Sequence, residues 1–88
     1  MQSVNFGESD LNVYVQNIGD DSVNLDLIFI NDDRFIITSE NCSVANQQTT
    51  KIDKGQTATV TINNSYKTEI FIKAVCKDGT NSDSYWKP

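Results

Sequence analysis

The sequence predicts an all-β protein, an antiparallel sandwich of seven to eight short strands, and three observations lead there. First, Leu11, Val13 and Val15 alternate with polar residues, stop at Asn17-Ile18-Gly19, and restart beyond Asp20-Asp21-Ser22 as Val23, Leu25, Leu27 and Phe29. A two-residue apolar period on both sides of a Gly/Asp/Ser cluster marks two strands joined by a tight turn. Second, similar turn clusters punctuate the chain at intervals of roughly eight to twelve residues. Third, no segment carries a helical period of consequence.

Val4 to Phe6 opens the chain as a first strand that Gly7 ends, and Asp10 to Asn17 follows, with Asn12, Tyr14 and Gln16 on its polar face. Val23 to Ile30 and Phe35 to Thr38 form a hairpin about the Asn31-Asp32-Asp33-Arg34 turn. The polar segment Ser39 to Gln48 holds one short strand at Cys42 to Val44. Beyond the Lys54-Gly55 turn, Ala58, Val60 and Ile62 alternate with Thr57, Thr59 and Thr61, a strand with one wet face. Glu69 to Lys77 and Asn81 to Trp86 pair across Asp78-Gly79, a two-residue hairpin signal. Strands so spaced point to the immunoglobulin-like type, although the Cys–Trp–Cys core of antibody domains is absent because the only tryptophan is Trp86.

At 88 residues this is one domain, 1–88, near the size at which a single core barely suffices. Its hydrophobic fraction of 38% is low but concentrated in alternating runs, which suits a thin two-layer β fold. Twelve acidic against 7 basic residues give a net charge of −5 with no basic run, so the electrostatic footprint of a nucleic-acid binder is missing.

Cys42 and Cys76 stand apart, and with no histidine in the chain they cannot complete a tetrahedral zinc site. A Cys42–Cys76 disulfide is the expectation, with two buried free thiols as the alternative; a bridge over such a loop contributes roughly 3 to 4 kcal/mol and implies an oxidising, extracellular location. The N-x-S/T triplets at Asn41 and Asn63 are glycosylation candidates pointing the same way, though a chain rich in Asn, Ser and Thr forms such triplets by chance. No apolar run approaches the ~20 residues of a membrane span.

Catalytic parts are missing from the sequence. Without histidine the commonest general base is gone, a serine or cysteine nucleophile lacks its usual partner, and no GxSxG, P-loop or GxGxxG motif occurs. No cofactor is implied. The acidic turns Asp20-Asp21 and Asp32-Asp33, with Asp26 between them, could reach calcium only from one end of a sandwich; successive hairpin turns fall at opposite ends, which favours a solvated acidic surface. Tyr85 and Trp86 are candidate sugar contacts, because flat rings with polar tips suit pyranose faces; the alternative has Trp86 closing the open end of the sandwich.

One feature departs from simple alternation. Ile28, Ile30, Ile36, Phe71 and Val75 sit out of phase with the core-facing series, so they need cover on the second face, from loops and the N-terminal segment or from another subunit.

Four strings, LNVYVQNIG at Leu11–Gly19, SVNLDLIFIN at Ser22–Asn31, DKGQTATVTI at Asp53–Ile62 and IKAVCKDGT at Ile72–Thr80, resemble the extracellular domains of archaeal type IV pilin-like proteins: pilins, archaellins and archaellum stator proteins. The resemblance spans most of the chain from Leu11 to Thr80. In that family a hydrophobic N-terminal helix anchors the subunit and builds the filament core. No such helix is in this sequence, so the resemblance implies a soluble ectodomain starting after it, as the Met1-Gln2-Ser3 start also suggests. It further implies a non-catalytic cell-surface protein working in motility or adhesion, with membrane contact only through the missing helix. Its partners would be other filament or archaellum subunits, surface-layer protein, or a second copy. An adhesive or carbohydrate-binding module is the alternative.

Overall fold

The computed structural model describes residues 2–87. Among these there is no helix; ten strands form two antiparallel sheets. The first sheet has the order β1-β2-β8-β5-β6, from β1 (Gln2–Phe6), β2 (Leu11–Gln16), β8 (Thr57–Ile62), β5 (Cys42–Val44) and β6 (Gln47–Gln48). The second has the order β10-β9-β3-β4, from β10 (Asn81–Trp86), β9 (Ile70–Cys76), β3 (Val23–Ile30) and β4 (Asp33–Ile36). A short β7 (Lys51–Ile52) joins the start of β3 through the pairs Val23↔Ile52 and Asn24↔Lys51.

The expected strands are found, but β4 runs Asp33–Ile36 and not Phe35 to Thr38. Asp33 and Arg34, expected in the turn, pair with Ile30 and Phe29 and leave a two-residue Asn31-Asp32 turn. Strands β6 and β7 raise the number beyond seven or eight. Both are two-residue ladders in a polar segment, too short to leave a period in the sequence. The β5–β6 hairpin turns on Ala45 and Asn46, each at positive φ (52° and 66°), the backbone of a type I′ turn without its usual glycine. The β9–β10 connection is a three-residue loop and not the expected two-residue one. Gly79 N–H donates to the Cys76 carbonyl at 3.0 Å, Cys76 N–H to the Thr80 carbonyl at 2.8 Å, and Gly79 takes φ 92°.

One aliphatic core lies between the sheets. Leu11, Val13, Ala58, Val60 and Ile62 face inward from the first sheet, and Leu25, Ile28, Ile30, Ile70, Ile72 and Ala74 from the second. The aromatic residues Phe6, Phe35, Tyr66 and Trp86 pack around its margin, half-buried. The opposite surface of the first sheet is polar: Ser43, Thr59, Tyr14 and Ser3 form one cross-strand row, and the Thr61 hydroxyl donates to Asn12 Oδ1 at 3.0 Å in the next.

The expected disulfide is not formed: Cys42 and Cys76 are free, buried thiols. Cys42 lies on β5 opposite Val60, whereas Cys76 ends β9 opposite Leu25, so the two belong to different sheets and to strands with no common neighbour. A bridge needs Cα atoms within about 7 Å and converging Cβ vectors, and in this structure the two thiols stand unbridged. Burial pushes the Cys42 thiol up to about 11. Burial, then the negative charges of Asp78 and Asp26, raise Cys76.

Thiol titration of non-reduced, denatured protein is therefore expected to count two reactive groups; a count of zero would restore the bridge. Because the Cys42 thiol goes from an ordinary 9.0 to about 11 in the fold, its contribution to stability is whole below pH 9 and lost as pH rises toward 11. The denaturant midpoint should fall more across that window in the native sequence than in Cys42→Ala.

Candidate functional site

The outer surface of the β10-β9-β3-β4 sheet is the feature that the fold leaves unexplained. Side chains alternate along strands, so residues flanking the buried Ile28, Ile30, Ile72 and Ala74 point outward. Three rows result. Tyr85 stands beside Phe71; Asp83, Lys73, Phe29 and Arg34 form the second row; Asn81, Val75, Leu27 and Ile36 form the third. Tyr85 and Ile36 are 69% and 61% exposed, and the Tyr85 and Phe71 ring centroids lie 4.8 Å apart, tilted 49°. Six apolar or aromatic side chains thus sit together on a sheet face that antiparallel proteins ordinarily give to polar residues.

A β-bulge determines which residues these are. Leu25 pairs with Cys76 but Leu27 pairs with Val75, so Asp26 is an extra residue in β3 and the phase changes there. Asp26 turns its carbonyl to the Ile37 N–H, 2.9 Å away. Of the residues expected on the second face, Ile36, Phe71 and Val75 are on it. Ile28 and Ile30 are not: both are fully buried in the core, and the bulge brings Leu27 and Phe29 out in their place. The only sequence signal of this exchange is the unbroken apolar run Leu27-Ile28-Phe29-Ile30, which gives both faces apolar residues without revealing where the phase slips.

Tyr85 and Trp86 do not form one platform. As consecutive residues of β10 they face opposite sides: Tyr85 joins the outer surface, while Trp86 pairs with Ile70 and packs on the core margin, its indole N–H donating to Ser84 Oγ at 2.6 Å. The two sequons also differ. The Asn41 amide is engaged, Nδ2 donating to the Ile36 carbonyl at 3.2 Å and Oδ1 accepting from Thr38 N–H at 2.9 Å, and Cys42 beside it is buried. Asn63 is exposed in the turn after β8.

The acidic turns stand at opposite ends of β3, and among the described residues no group of three or more acidic or cysteine side chains is placed to hold a metal ion. No described helix is long and apolar enough to cross a membrane. Comparison of the sequence with protein-family models and with curated proteins finds no match.

The two faces of β3 give opposite mutational outcomes. Ile28→Asp should place a carboxylate in the core at a cost above about 4 kcal/mol, enough to unfold a domain of this size. Ile36→Asp should change stability by less than about 1 kcal/mol. Denaturant melts of the two variants check this, and equal losses would contradict the bulged register.

Proposed function

We propose that this is a non-catalytic, immunoglobulin-like cell-surface domain that works by protein–protein contact through the outer face of β10-β9-β3-β4, as a subunit or stator-type component of an archaeal filament. The observation that carries the reading is the apolar face itself, on which Tyr85 and Ile36 are exposed and Phe71, Phe29, Leu27 and Val75 half-buried, since clustered apolar side chains at a surface mark association. The resemblance of the four strand strings to archaeal pilin-like ectodomains supplies the filament context. The strand order supports the immunoglobulin-like description: β1-β2-β8-β5 against β10-β9-β3-β4 parallels the four-strand and three-strand sheets of constant-type domains, with β4 added at one edge. With both cysteines free, the extracellular placement rests on this resemblance and on the exposed sequon at Asn63.

The charge pattern of the face favours a second copy as one partner. Across the sheet the central row reads Asp83, Lys73, Phe29, Arg34, acidic at one edge and basic at the other. A two-fold axis along the strands between β9 and β3 sets Asp83 against Arg34 of a second copy. It sets Lys73 over Phe29, a cation–π geometry, and Val75 against Leu27.

Sedimentation velocity over a concentration series tests the reading. The native domain should self-associate, Phe71→Asp and Ile36→Asp should be monomeric, and Arg34→Asp should be rescued by Asp83→Arg in the double variant. A monomer at every concentration removes the like-copy partner. Failure of surface-layer and filament proteins to be retained on the native domain as well removes the docking role.

An adhesive, sugar-binding role is favoured by one observation, the exposed Tyr85 ring leaning on Phe71. If it operates, a glycan panel should perturb the Tyr85 ring resonances and Tyr85→Ala should abolish the effect; unchanged spectra across the panel dismiss it.

A further inference from the structure

At the end of the domain away from Trp86, the two sheets part around an open cleft of about 450 Å³. The reason lies in side-chain size. On the inward side of β9 and β10, Trp86 stands beside Ile70 at one end, whereas at the other end the paired residues are Ser82 and Ala74. The small pair leaves empty the space that the indole occupies at the opposite end. The floor is apolar, made by Val15, Val23, Ile52, Ala74 and Cys76.

The walls are fixed. Asn17 is buried, and its Nδ2 donates to the Asp21 carbonyl at 2.8 Å and the Ile52 carbonyl at 2.9 Å, while its Oδ1 accepts from Gly19 N–H at 3.0 Å. The β2–β3 turn is thereby tied to β7, and so the first sheet to the second. Across the cleft, Asp78 Oδ1 accepts from Thr80 N–H at 2.9 Å, a bond that holds its carboxyl below the ordinary carboxylate range and keeps it charged.

Every charged residue lining the cleft is an aspartate: Asp20, Asp21 and Asp78. Lys54 pairs with Asp20 at 3.5 Å, both groups exposed, while Asp21 and Asp78 make no salt bridge among the described residues. Of the three, Asp78 also acts on the floor: after burial, its charge is the next cause that raises the Cys76 thiol. A bare cation has no use for the apolar floor, and the three carboxylates stand around the rim without converging on a metal-binding group among the described residues. A neutral apolar ligand leaves the rim unused. A group with an aliphatic body and a positive charge satisfies both. In addition, β10 borders the cleft as the hydrogen-bonding edge of its sheet, with β1 close beside it, and a peptide that enters the cleft meets the Asn81–Ser82 end of that edge.

We infer that this cleft seats an extended, basic–aliphatic peptide segment of a partner protein, with an aliphatic side chain on the Val15–Val23–Ile52 floor and a lysine or arginine at the Asp21 and Asp78 rim. The site lies at the end of the domain, apart from the outer face of β10-β9-β3-β4, and the two stand or fall separately.

Selection of a randomised peptide display library on the immobilised domain tests it, followed by methyl NMR of the recovered peptides. Recovered sequences should pair Leu, Ile or Val with Lys or Arg, shift the Val15, Val23 and Ile52 methyls saturably, and shield Cys76 from a small thiol reagent. The Asp21→Asn/Asp78→Asn double variant should bind about ten-fold more weakly, the effect of losing a charge-assisted contact. Ser82→Leu, which fills the cleft from an edge strand, should bind none, and Phe71→Asp should bind as the native domain does. A selection without binders, binders indifferent to the aspartate variant, or shifts confined to Phe71 and Tyr85 would each overturn the inference. Tighter binding of hexylamine than of any peptide would overturn the peptide assignment in favour of a small amine.

Discussion

The β-bulge at Asp26 is the constraint on which the rest of this structure depends. A shift of one residue in strand register turns every following side chain to the other face. Without the bulge, the series Val23, Leu25, Leu27, Phe29 would continue into the core and Ile28 and Ile30 would face outward. With it, Val23 and Leu25 are followed inward by Ile28 and Ile30, paired with Ala74 and Ile72. Both arrangements bury apolar residues, so the hydrophobic effect alone does not choose between them. Volume does: the fully buried positions are all aliphatic, with the aromatics either at the core margin or on the outer faces of the sheets, and a phenylalanine at the centre of so thin a core would overfill it. The bulge keeps the narrow β-branched residues inside and leaves Leu27 and Phe29 to build the outer face.

Asn17 does at the domain end what the bulge does in the sheet. It extends the β2–β8 ladder through its backbone, donating to the Gln56 carbonyl at 3.0 Å and accepting from Gly55 N–H at 2.9 Å, while its side chain reaches Ile52 on β7. A buried amide with its groups paired can hold two sheets in fixed relation where no disulfide does so. The two short strands that the sequence hides are therefore structural parts: β7 is what Asn17 grips, and β6 closes the far edge of the first sheet.

The longer elements were legible because their chemistry is local. The alternation at Leu11–Val15 and Thr57–Ile62 sets both strand and face, and Asp78-Gly79 announces a hairpin even though the loop is one residue longer than that dipeptide usually makes. What could not be read depends on partners distant in sequence. The slip at Asp26 is defined against Val75 and Cys76, and the role of Asn17 against Ile52. The cysteines illustrate the same limit: two lone thiols are an invitation to pair them, yet only the placement of β5 and β9 in the folded domain shows them free. For the outer face, Ile36, Phe71 and Val75 were recognisable as out of phase because β4 and β9 contain no bulge, whereas β3, which does, gave the wrong pair.

The domain's acidity has a place in this arrangement. A charge of −5 on so small a body opposes indiscriminate contact between copies, but the opposition is long-ranged and screened beyond roughly 8 Å at physiological salt. The apolar face carries Lys73 and the chain's only arginine, Arg34, so that at contact distance the local field differs from that of the whole molecule. In the proposed pairing of two copies, net charge disfavours random approaches while the face favours one geometry, with Asp83 against Arg34 and Val75 against Leu27. At the other end of the domain the sign is reversed, with aspartates alone around an apolar floor. On the two proposals, a body with an approximately balanced apolar face and a negative apolar cleft would offer two surfaces suited to different partners, as a component holding two kinds of contact at once requires.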